Sequence, residues 1–375
     1  MLKIHFLNVG HGDCTIIEHP SGRITMVDIN NGDELDGESF SEILAAYGAR
    51  SRFGLRAQNT LAELASGRRP AGQYGLADIL YGGGTAHPSY GTGMLGAAAI
   101  RPASLGLAGL LRPTRTKRQE LNEAGYSISL TNPVEFYLGR YAGKSIFRYV
   151  QSHPDLDHMR GLAAIRQHGI NITNFWDTEH TKVPDFKNDA DKEEWAAYQS
   201  LRGSSTNPSV LRLYRGAKGS FWNDDPHGQG DHDGIEVLSP TPEIVRWANQ
   251  QANTNNLSYV LRITYLGYRI VLGGDADTDL WEHLADQYGK DLRCHVLKAS
   301  HHGRDSGYSS KALGLLNPDY TIVSVGKKPD TDASNKYRGY CDNVWSTRWY
   351  GNLTLQVSQE RGLEWSAEHP KQGDR

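Results

Sequence analysis

The sequence has little cysteine and no long apolar stretch. Only three of its 375 residues are cysteines, and Cys14, Cys294 and Cys341 lie far apart along the chain. This spacing excludes a disulfide framework and a four-cysteine zinc site, and it is typical of a reducing compartment. The longest apolar runs fall well short of the roughly 18 residues that a membrane-spanning helix needs. We therefore expect no membrane association.

An excess of positive charge is also missing. The 40 Lys and Arg are outnumbered by 43 Asp and Glu, so the formal net charge is -3. The overall charge therefore gives no indication of a nucleic-acid partner. Hydrophobic residues make up 38% of the chain, which excludes wholesale disorder. Near the N-terminus, Asn8 and His11 stand where a secretory signal needs apolar residues, so we expect a cytoplasmic protein.

Short strand patterns dominate the regular parts of the chain. Apolar residues in alternation or in short runs predict strands at residues 2–9, 15–17, 24–29, 145–151, 235–238, 259–265, 268–272, 294–299, 320–325, 353–357 and 363–365. Helical patterns lie between them, at residues 133–141, 160–168, 191–201 and 280–288. This mixture predicts an α+β fold in which layered sheets are flanked by helices.

One segment departs from this pattern. Between residues 48 and 118, ten basic residues stand against two acidic ones, which gives a charge of +8 and leaves -11 for the rest of the chain. The same segment holds 13 of the 41 glycines, and glycine at this density favours loops. We interpret residues 35–130 as a basic, Gly- and Arg-rich insertion that is partly mobile. Residues 1–34 and 131–375 would then form the main domain.

Metal-ligand side chains are concentrated directly after the predicted strand at 145–151. Four potential ligands fall within six residues there: His153, Asp155, Asp157 and His158. Carboxylates and imidazoles are the usual ligands of catalytic divalent metal ions, and side chains at strand ends can converge on one point. Any one of the four has an ordinary explanation in a polar loop, with Asp157 as a helix cap. The four together favour a metal site.

Two later strand ends carry the same kinds of side chain. Asp275 follows the predicted strand at 268–272 after two glycines, which permit close approach of the backbone. His301 and His302 follow the predicted strand at 294–299. Taken alone, the glycine-aspartate pair is an ordinary turn and either histidine is an ordinary surface residue. Beside the cluster at 153–158, they indicate further metal ligands.

These motifs resemble the metallo-β-lactamase superfamily. Within it, they are similar to the soluble hydrolase domain of ComEC-type competence proteins and its stand-alone relatives. The resemblance rests on the segments Phe6 to Asp13, Met26 to Asp28, Ser152 to His158, Asn256 to Ser258, Gly274-Asp275 and Ser300 to Gly303. It implies an αββα sandwich with the site at one edge, and hydrolysis assisted by one or two divalent metal ions.

The resemblance also implies which residues bind metal. The implied ligands are His153 and Asp155 for one ion, and Asp157, His158 and one histidine of the pair for the other, with Asp275 bridging the two. We favour His301 over His302 because it comes first after the strand. The superfamily's usual second histidine is Asp155 here, and His180, His227 and His232 each read more naturally as loop residues than as a third histidine ligand. A site richer in carboxylates favours Mn²⁺ or Mg²⁺ over Zn²⁺.

Further roles follow from the same resemblance. A metal-activated hydroxide would attack the substrate, with Asp157, Asp275 and His302 as the catalytic residues. Asp28 would hold a ligand histidine through its other nitrogen, and Asp13 would either do the same or stabilise a turn. The substrate-binding residues would be Asn256, Ser258 and Lys298, although the first two also fit a structural role in the hairpin and Lys298 also fits a solvated position.

A phosphodiester is the expected substrate. The resemblance is to nuclease-like members of the superfamily, and the basic insertion supplies cations for a phosphate backbone. We therefore predict a metal-dependent nuclease or phosphodiesterase, with DNA favoured. One alternative is a hydrolase of a small ester, thioester or lactam. A second alternative is a non-catalytic protein of the same fold that binds a protein partner through the insertion.

Overall fold

The computed structural model describes residues 1–31, 40–41, 43–45, 129–224, 232–326 and 330–370. The chain divides into two units, one formed by Met1–Phe40 and Gly125–Arg375 and the other by Ser41–Ala124. Nearly all described residues belong to the first unit. The expected insertion at 35–130 lies, apart from a few residues, outside the described part of the chain. Its predicted basic and mobile character stays a prediction.

The strands of the first unit form two sheets. In chain order they are β1 (Leu2–Phe6), β2 (Thr15–Glu18), β3 (Ile24–Val27), β4 (Ile146–Val150), β5 (Ile172–Trp176), β6 (Ser209–Leu211), β7 (Ile235–Ser239), β8 (Val260–Tyr265), β9 (Tyr268–Leu272), β10 (Val296–Lys298), β11 (Tyr320–Val323), β12 (Asn343–Ser346), β13 (Leu353–Ser358) and β14 (Gly362–Ala367). In the part of the chain that the structure describes, the first sheet has the order β14-β13-β1-β2-β3-β4-β5-β6 and the second the order β12-β11-β10-β9-β8-β7.

Helices accompany both sheets in the described part of the chain. They are α1 (Pro133–Tyr141), α2 (Leu162–Gln167), α3 (Asp189–Arg202), α4 (Pro242–Gln250), α5 (Thr278–Tyr288), α6 (Ser310–Leu316), α7 (Ser334–Tyr337) and α8 (Thr347–Tyr350). Tyr137 and Tyr198 of α1 and α3 pack against the first sheet, and Leu284 and Leu313 of α5 and α6 pack against the second. Within the described ranges, the chain contains no helix of the length and apolar character required to cross a membrane.

A separate apolar layer fills the space between the two sheets. Ile4 and Trp176 of the first sheet and Val237 and Ile270 of the second belong to one buried cluster there. Because both faces of each central strand are buried, these strands are apolar along most of their length, and this is why they were visible in the sequence. The fold is an αββα sandwich, which confirms the expected fold class.

Parallel pairing brings the candidate site residues to shared sheet edges. In the first sheet β3 runs parallel to β4, and in the second sheet β9, β10 and β11 run parallel to one another. Asp28 and the segment 152–158 follow β3 and β4, while Asp275 and the histidine pair follow β9 and β10. Carboxyl ends of neighbouring parallel strands meet at one edge, where ligands commonly bind.

Candidate metal centre

Asp275 lies at the middle of a group of imidazole rings. Its Oδ2 atom is close to the Nε2 atoms of four histidines, at 3.3 Å from His158, 3.5 Å from His302, 3.8 Å from His153 and 4.0 Å from His301. Only 3% of Asp275 is exposed. The fold therefore brings together all three motifs that the sequence singled out.

The backbone turn before Asp275 fixes the position of its carboxylate. Gly274 has a φ of +53°, and a Cβ atom there would lie 2.9 Å from the side chain of Ser258. The Oγ atom of Ser258 accepts a hydrogen bond from the backbone N–H of Asp275 at 2.9 Å, and Asn256 Oδ1 accepts one from Asp277 at 3.0 Å. Asn256 and Ser258 are both fully buried. Both side chains hold the turn in place through these hydrogen bonds, and their expected role in substrate binding stays a prediction.

Asp28 orients His158. Its Oδ2 atom accepts hydrogen bonds from His158 Nδ1 at 2.8 Å and from Ser152 Oγ at 2.6 Å, and its Oδ1 atom accepts one from the Ser152 backbone at 2.7 Å. With the proton on Nδ1, the Nε2 lone pair of His158 is available to a metal ion. Asp28 thus lies where the resemblance implies.

The paired histidines occupy different positions. His302 is 1% exposed, and its Nε2 lies 3.4 Å from Asp157 Oδ2 as well as 3.5 Å from Asp275. His301 is farther from Asp275, and its Nδ1 faces Ser306 Oγ at 2.7 Å and Asp277 at 3.3 Å. The geometry therefore favours His302 as the ligand in place of His301. Both residues have left-handed backbone conformations, with φ values of 50° and 54°, so their order after the strand does not decide which ring faces the centre.

Lys298 forms an ion pair with Asp13 inside the protein. Its Nζ lies 2.7 Å and 2.8 Å from the two carboxylate oxygens, and both residues are buried. Asp13 Oδ1 lies 3.8 Å from His302 Nδ1, on the side of the ring away from Asp275. Burial alone would raise the pKa of Asp13, but Lys298 and His302 hold it well below its usual range. Lys298 therefore neutralises Asp13, and its expected role in substrate binding stays a prediction.

His11 is a candidate ligand that the sequence reasoning did not include. Its Nε2 lies 3.6 Å from Asp157 Oδ2, and its ring centroid is 4.8 Å from that of His302. The signal was present, because His11 stands between two glycines in the opening motif. In contrast, His180 contacts Tyr198 and Arg202, and His232 accepts a hydrogen bond from Gly234. His227 lies outside the described residues.

Several buried atoms of the centre have no hydrogen-bond partner among the described residues. They are Nε2 of His153, His158 and His302, and Oδ1 of Asp275. Leaving such atoms unsatisfied costs roughly 1–3 kcal/mol each, and a coordinated cation removes that cost. Ligand atoms of Asp13, His158, Asp275 and His302 lie within 4.8 Å of one another, and the same is true of His11, Asp157 and His302. These side chains fit a divalent metal ion.

The carboxylates give the centre an excess of negative charge. Burial alone would lower the pKa of His302, but Asp275, Asp13 and Asp157 raise it to about 10. Burial alone would also lower the pKa of His158, but Asp275 and Asp28 raise it well above its ordinary value. Imidazoles that hold protons so firmly indicate a potential that attracts cations, and a divalent ion would displace those protons on binding.

Sequence comparison finds a similarity to a competence protein. Over 136 residues the chain is 33% identical to the competence protein ComA of Neisseria gonorrhoeae. The chain is thus similar in sequence to part of a competence protein, as its motifs predicted. The match covers 35% of this chain and 19% of ComA, so the chain spans about a fifth of the length of that relative. No protein-family profile matches the chain.

A search of solved structures gives a more distant likeness. A mutant of CmlA beta-hydroxylase aligns with 94% of this chain and 54% of its own, at 9% sequence identity and a TM-score of 0.40. The resemblance inferred from the motifs is confirmed by the sequence match.

Proposed function

We propose that this protein is a metal-dependent hydrolase that cleaves phosphodiester bonds, with DNA as the favoured substrate. The observation that carries the proposal is the convergence of Asp275 with His158 and His302, whose buried ring nitrogens have no hydrogen-bond partner in the described chain. A divalent ion held there would lower the pKa of a bound water molecule and polarise a phosphoryl oxygen.

The chain's own residues prepare this centre for the reaction. Asp28 keeps the Nε2 lone pair of His158 available, and Ser258 fixes the turn that presents the carboxylate of Asp275. Asp157 and His11 form the exposed side of the centre, with 24% and 45% of their side chains accessible. A substrate therefore approaches past these two residues.

An adjoining cavity supports a nucleic-acid substrate. It has a volume of about 460 Å³ and lies at the carboxyl ends of β11 and β12. Backbone hydrogen bonds connect the cavity wall to the segment that follows His302. The N–H of Ala333 donates to the carbonyl of Gly303 at 2.9 Å, and the N–H of Asp305 donates to the carbonyl of Thr331 at 2.8 Å. Gly303 directly follows His302. The cavity and the centre therefore lie on neighbouring strands of one sheet edge.

The chemistry of the cavity lining suits a nucleobase. The lining includes Trp345, Trp349, Arg338, Arg348 and Asp342, and the guanidinium of Arg348 lies 5.0 Å from the ring centroid of Trp349. Aromatic side chains stack on bases at roughly 1–3 kcal/mol per base, largely independently of sequence. A lining that mixes donors, acceptors and rings matches a heterocycle better than it matches a bare phosphate. The basic character of residues 48–118 in the sequence adds support for a polyanionic substrate.

The test is a hydrolysis assay on protein stripped of metal and reloaded with Mn²⁺, Mg²⁺ or Zn²⁺. Substrates are single- and double-stranded DNA, RNA, bis(4-nitrophenyl) phosphate and a small thioester. We expect metal-dependent cleavage of the phosphodiesters, and loss of that cleavage in the double variant Asp157→Ala, His158→Ala. The surface variant Asp185→Ala serves as the control. Cleavage that survives the double change, or no phosphodiester cleavage at all, rejects the proposal. Turnover of the thioester alone favours the small-ester alternative.

A further inference from the structure

The metal position expected between His153 and Asp155 already contains a positive charge. Lys182 Nζ lies 2.5 Å from Asp155 Oδ1, and Thr254 Oγ1 donates to the same oxygen at 2.9 Å. The ammonium group also donates to Thr254 Oγ1 at 3.1 Å. Asp155 Oδ1 is in turn the oxygen that lies 3.7 Å from His153 Nε2. The acceptor that would bind a first metal ion is therefore already engaged by two donors.

The two halves of the centre differ in charge. Around His158 and His302, four carboxylates converge, from Asp13, Asp28, Asp157 and Asp275, and Lys298 forms an ion pair with that of Asp13. His153 lies near the carboxylates of Asp275, which also contacts His158 and His302, and of Asp155. Lys182 neutralises Asp155. A divalent ion bound to Asp155 would lie next to the ammonium group of Lys182, which contacts the same carboxylate. Two neighbouring positive charges repel each other strongly in a partly buried site.

The arrangement of possible ligands points the same way. Within the described ranges, two groups of three or more histidine or carboxylate side chains are close enough to hold an ion. Both groups contain His302, and neither contains His153 or Asp155. Both of these groups of three or more ligand atoms therefore lie on the His302 side of Asp275.

We propose that the centre binds a single divalent ion, on the side of His158 and His302, and that the ammonium group of Lys182 takes the place of a first ion. This inference deepens the proposed function, on which its chemical meaning rests. Lys182 then supplies a fixed positive charge beside the substrate's phosphoryl group, since 24% of its side chain is exposed. His153 Nδ1 then donates to Ser152 Oγ, whose own proton goes to Asp28, so His153 Nε2 remains as a buried acceptor for a hydrogen bond from water.

The experiment counts metal ions without reference to activity. Metal-free protein is titrated with Mn²⁺, separated from free ion, and analysed for manganese content and by electron paramagnetic resonance. We expect one ion per chain and the spectrum of an isolated Mn²⁺. Lys182→Met removes the ammonium and should admit a second ion, with the spectrum of an exchange-coupled pair. Lys182→Arg keeps the charge and should bind one ion.

Lys192→Met is the matched control, because it removes an exposed ammonium that pairs with Asp189 on α3. It should bind one ion, and circular dichroism verifies that each variant is folded.

Two coupled ions in the unaltered protein would overturn the inference, as would a Lys182→Met variant that still binds only one. One ion without phosphodiester cleavage would reject the proposed function alone. Two ions with cleavage would reject the single-ion inference alone, and failure to bind any Mn²⁺ would reject both.

Discussion

Asp28 influences the metal centre through hydrogen bonds. It accepts two of them from Ser152 and a third from Nδ1 of His158. The residue has a φ of 57°, a conformation that aspartate and asparagine adopt more readily than most residues do. An asparagine at this position therefore preserves the backbone while it removes one of the carboxylate oxygens.

We predict that Asp28→Asn weakens Mn²⁺ binding about 10- to 100-fold, the usual cost of losing a group that orients a ligand histidine. The reason is that His158 loses the acceptor that fixes its tautomer. Isothermal titration calorimetry with the metal-free protein measures the effect. The exposed Asp185→Asn should leave the affinity unchanged. Equal affinity in Asp28→Asn and the unaltered protein would contradict the role of Asp28.

The two histidines after β10 give a matched pair of variants, because both have left-handed backbone conformations that asparagine tolerates. We predict that His302→Asn abolishes measurable Mn²⁺ binding, whereas His301→Asn changes the affinity less than about tenfold, a difference below 1.4 kcal/mol. Direct titration of both variants decides the matter. The reverse order would restore the expectation that came from the sequence, with His301 as the ligand.

At the scale of elements, the pair formed by Lys298 and Asp13 connects the two sheets. Lys298 ends β10 of the second sheet, and Asp13 lies in the loop between β1 and β2 of the first. Removing one partner of a buried ion pair leaves an uncompensated charge, which typically costs about 3–5 kcal/mol.

We therefore predict that Lys298→Met lowers the free energy of unfolding of the metal-free protein by about 3–5 kcal/mol. The double variant Asp13→Asn, Lys298→Met should recover part of that loss, because no charge remains buried alone. Urea denaturation of the single and double variants measures the coupling. Additive losses would show that the two side chains do not act as a pair.

Elements of the sandwich differed in how well the sequence revealed them. Strands β1, β4, β9 and β11 lie within the predicted ranges, because their apolar residues are buried on both faces. Helix α4 was missed even though Thr241 caps it and Pro242 begins it. The short strand β12 was also missed, since its four residues form a strand through parallel pairing with β11, a contact distant in sequence.

At the scale of the whole molecule, stability should depend on pH through buried histidines outside the centre. His19 Nε2 interacts with Thr25 Oγ1 at 2.8 Å, and Nδ1 lies 3.9 Å from Asp233. Burial lowers the pKa of His19 to about 3 despite this carboxylate, and Arg148 contributes to the shift. In the unfolded chain His19 binds a proton below about pH 6.5, whereas in the folded protein it stays neutral down to about pH 3. The contribution of His19 is therefore complete above that pH and is lost progressively toward pH 3.

We predict that His19→Gln loses less stability than the unaltered protein as the pH falls from about 6.5 to about 4.5. One proton contributes at most about 1.4 kcal/mol per pH unit, so the two proteins should diverge by about 2 kcal/mol over this range. Urea denaturation at a series of pH values measures it. The exposed His168→Gln should follow the unaltered protein. Parallel pH profiles for His19→Gln and the unaltered protein would contradict the prediction.

The sequence by itself determined the α+β class and the segments that supply the centre, because apolar periodicity and clustered ligand types are local properties. It did not determine which histidine of the pair faces Asp275, nor that Lys298 neutralises Asp13 and Lys182 neutralises Asp155. Each of those pairings joins residues at least 27 positions apart or depends on the twist of one turn. Such distances are set only when the two sheets pack and bring their strand ends together, so the tertiary structure alone decided them.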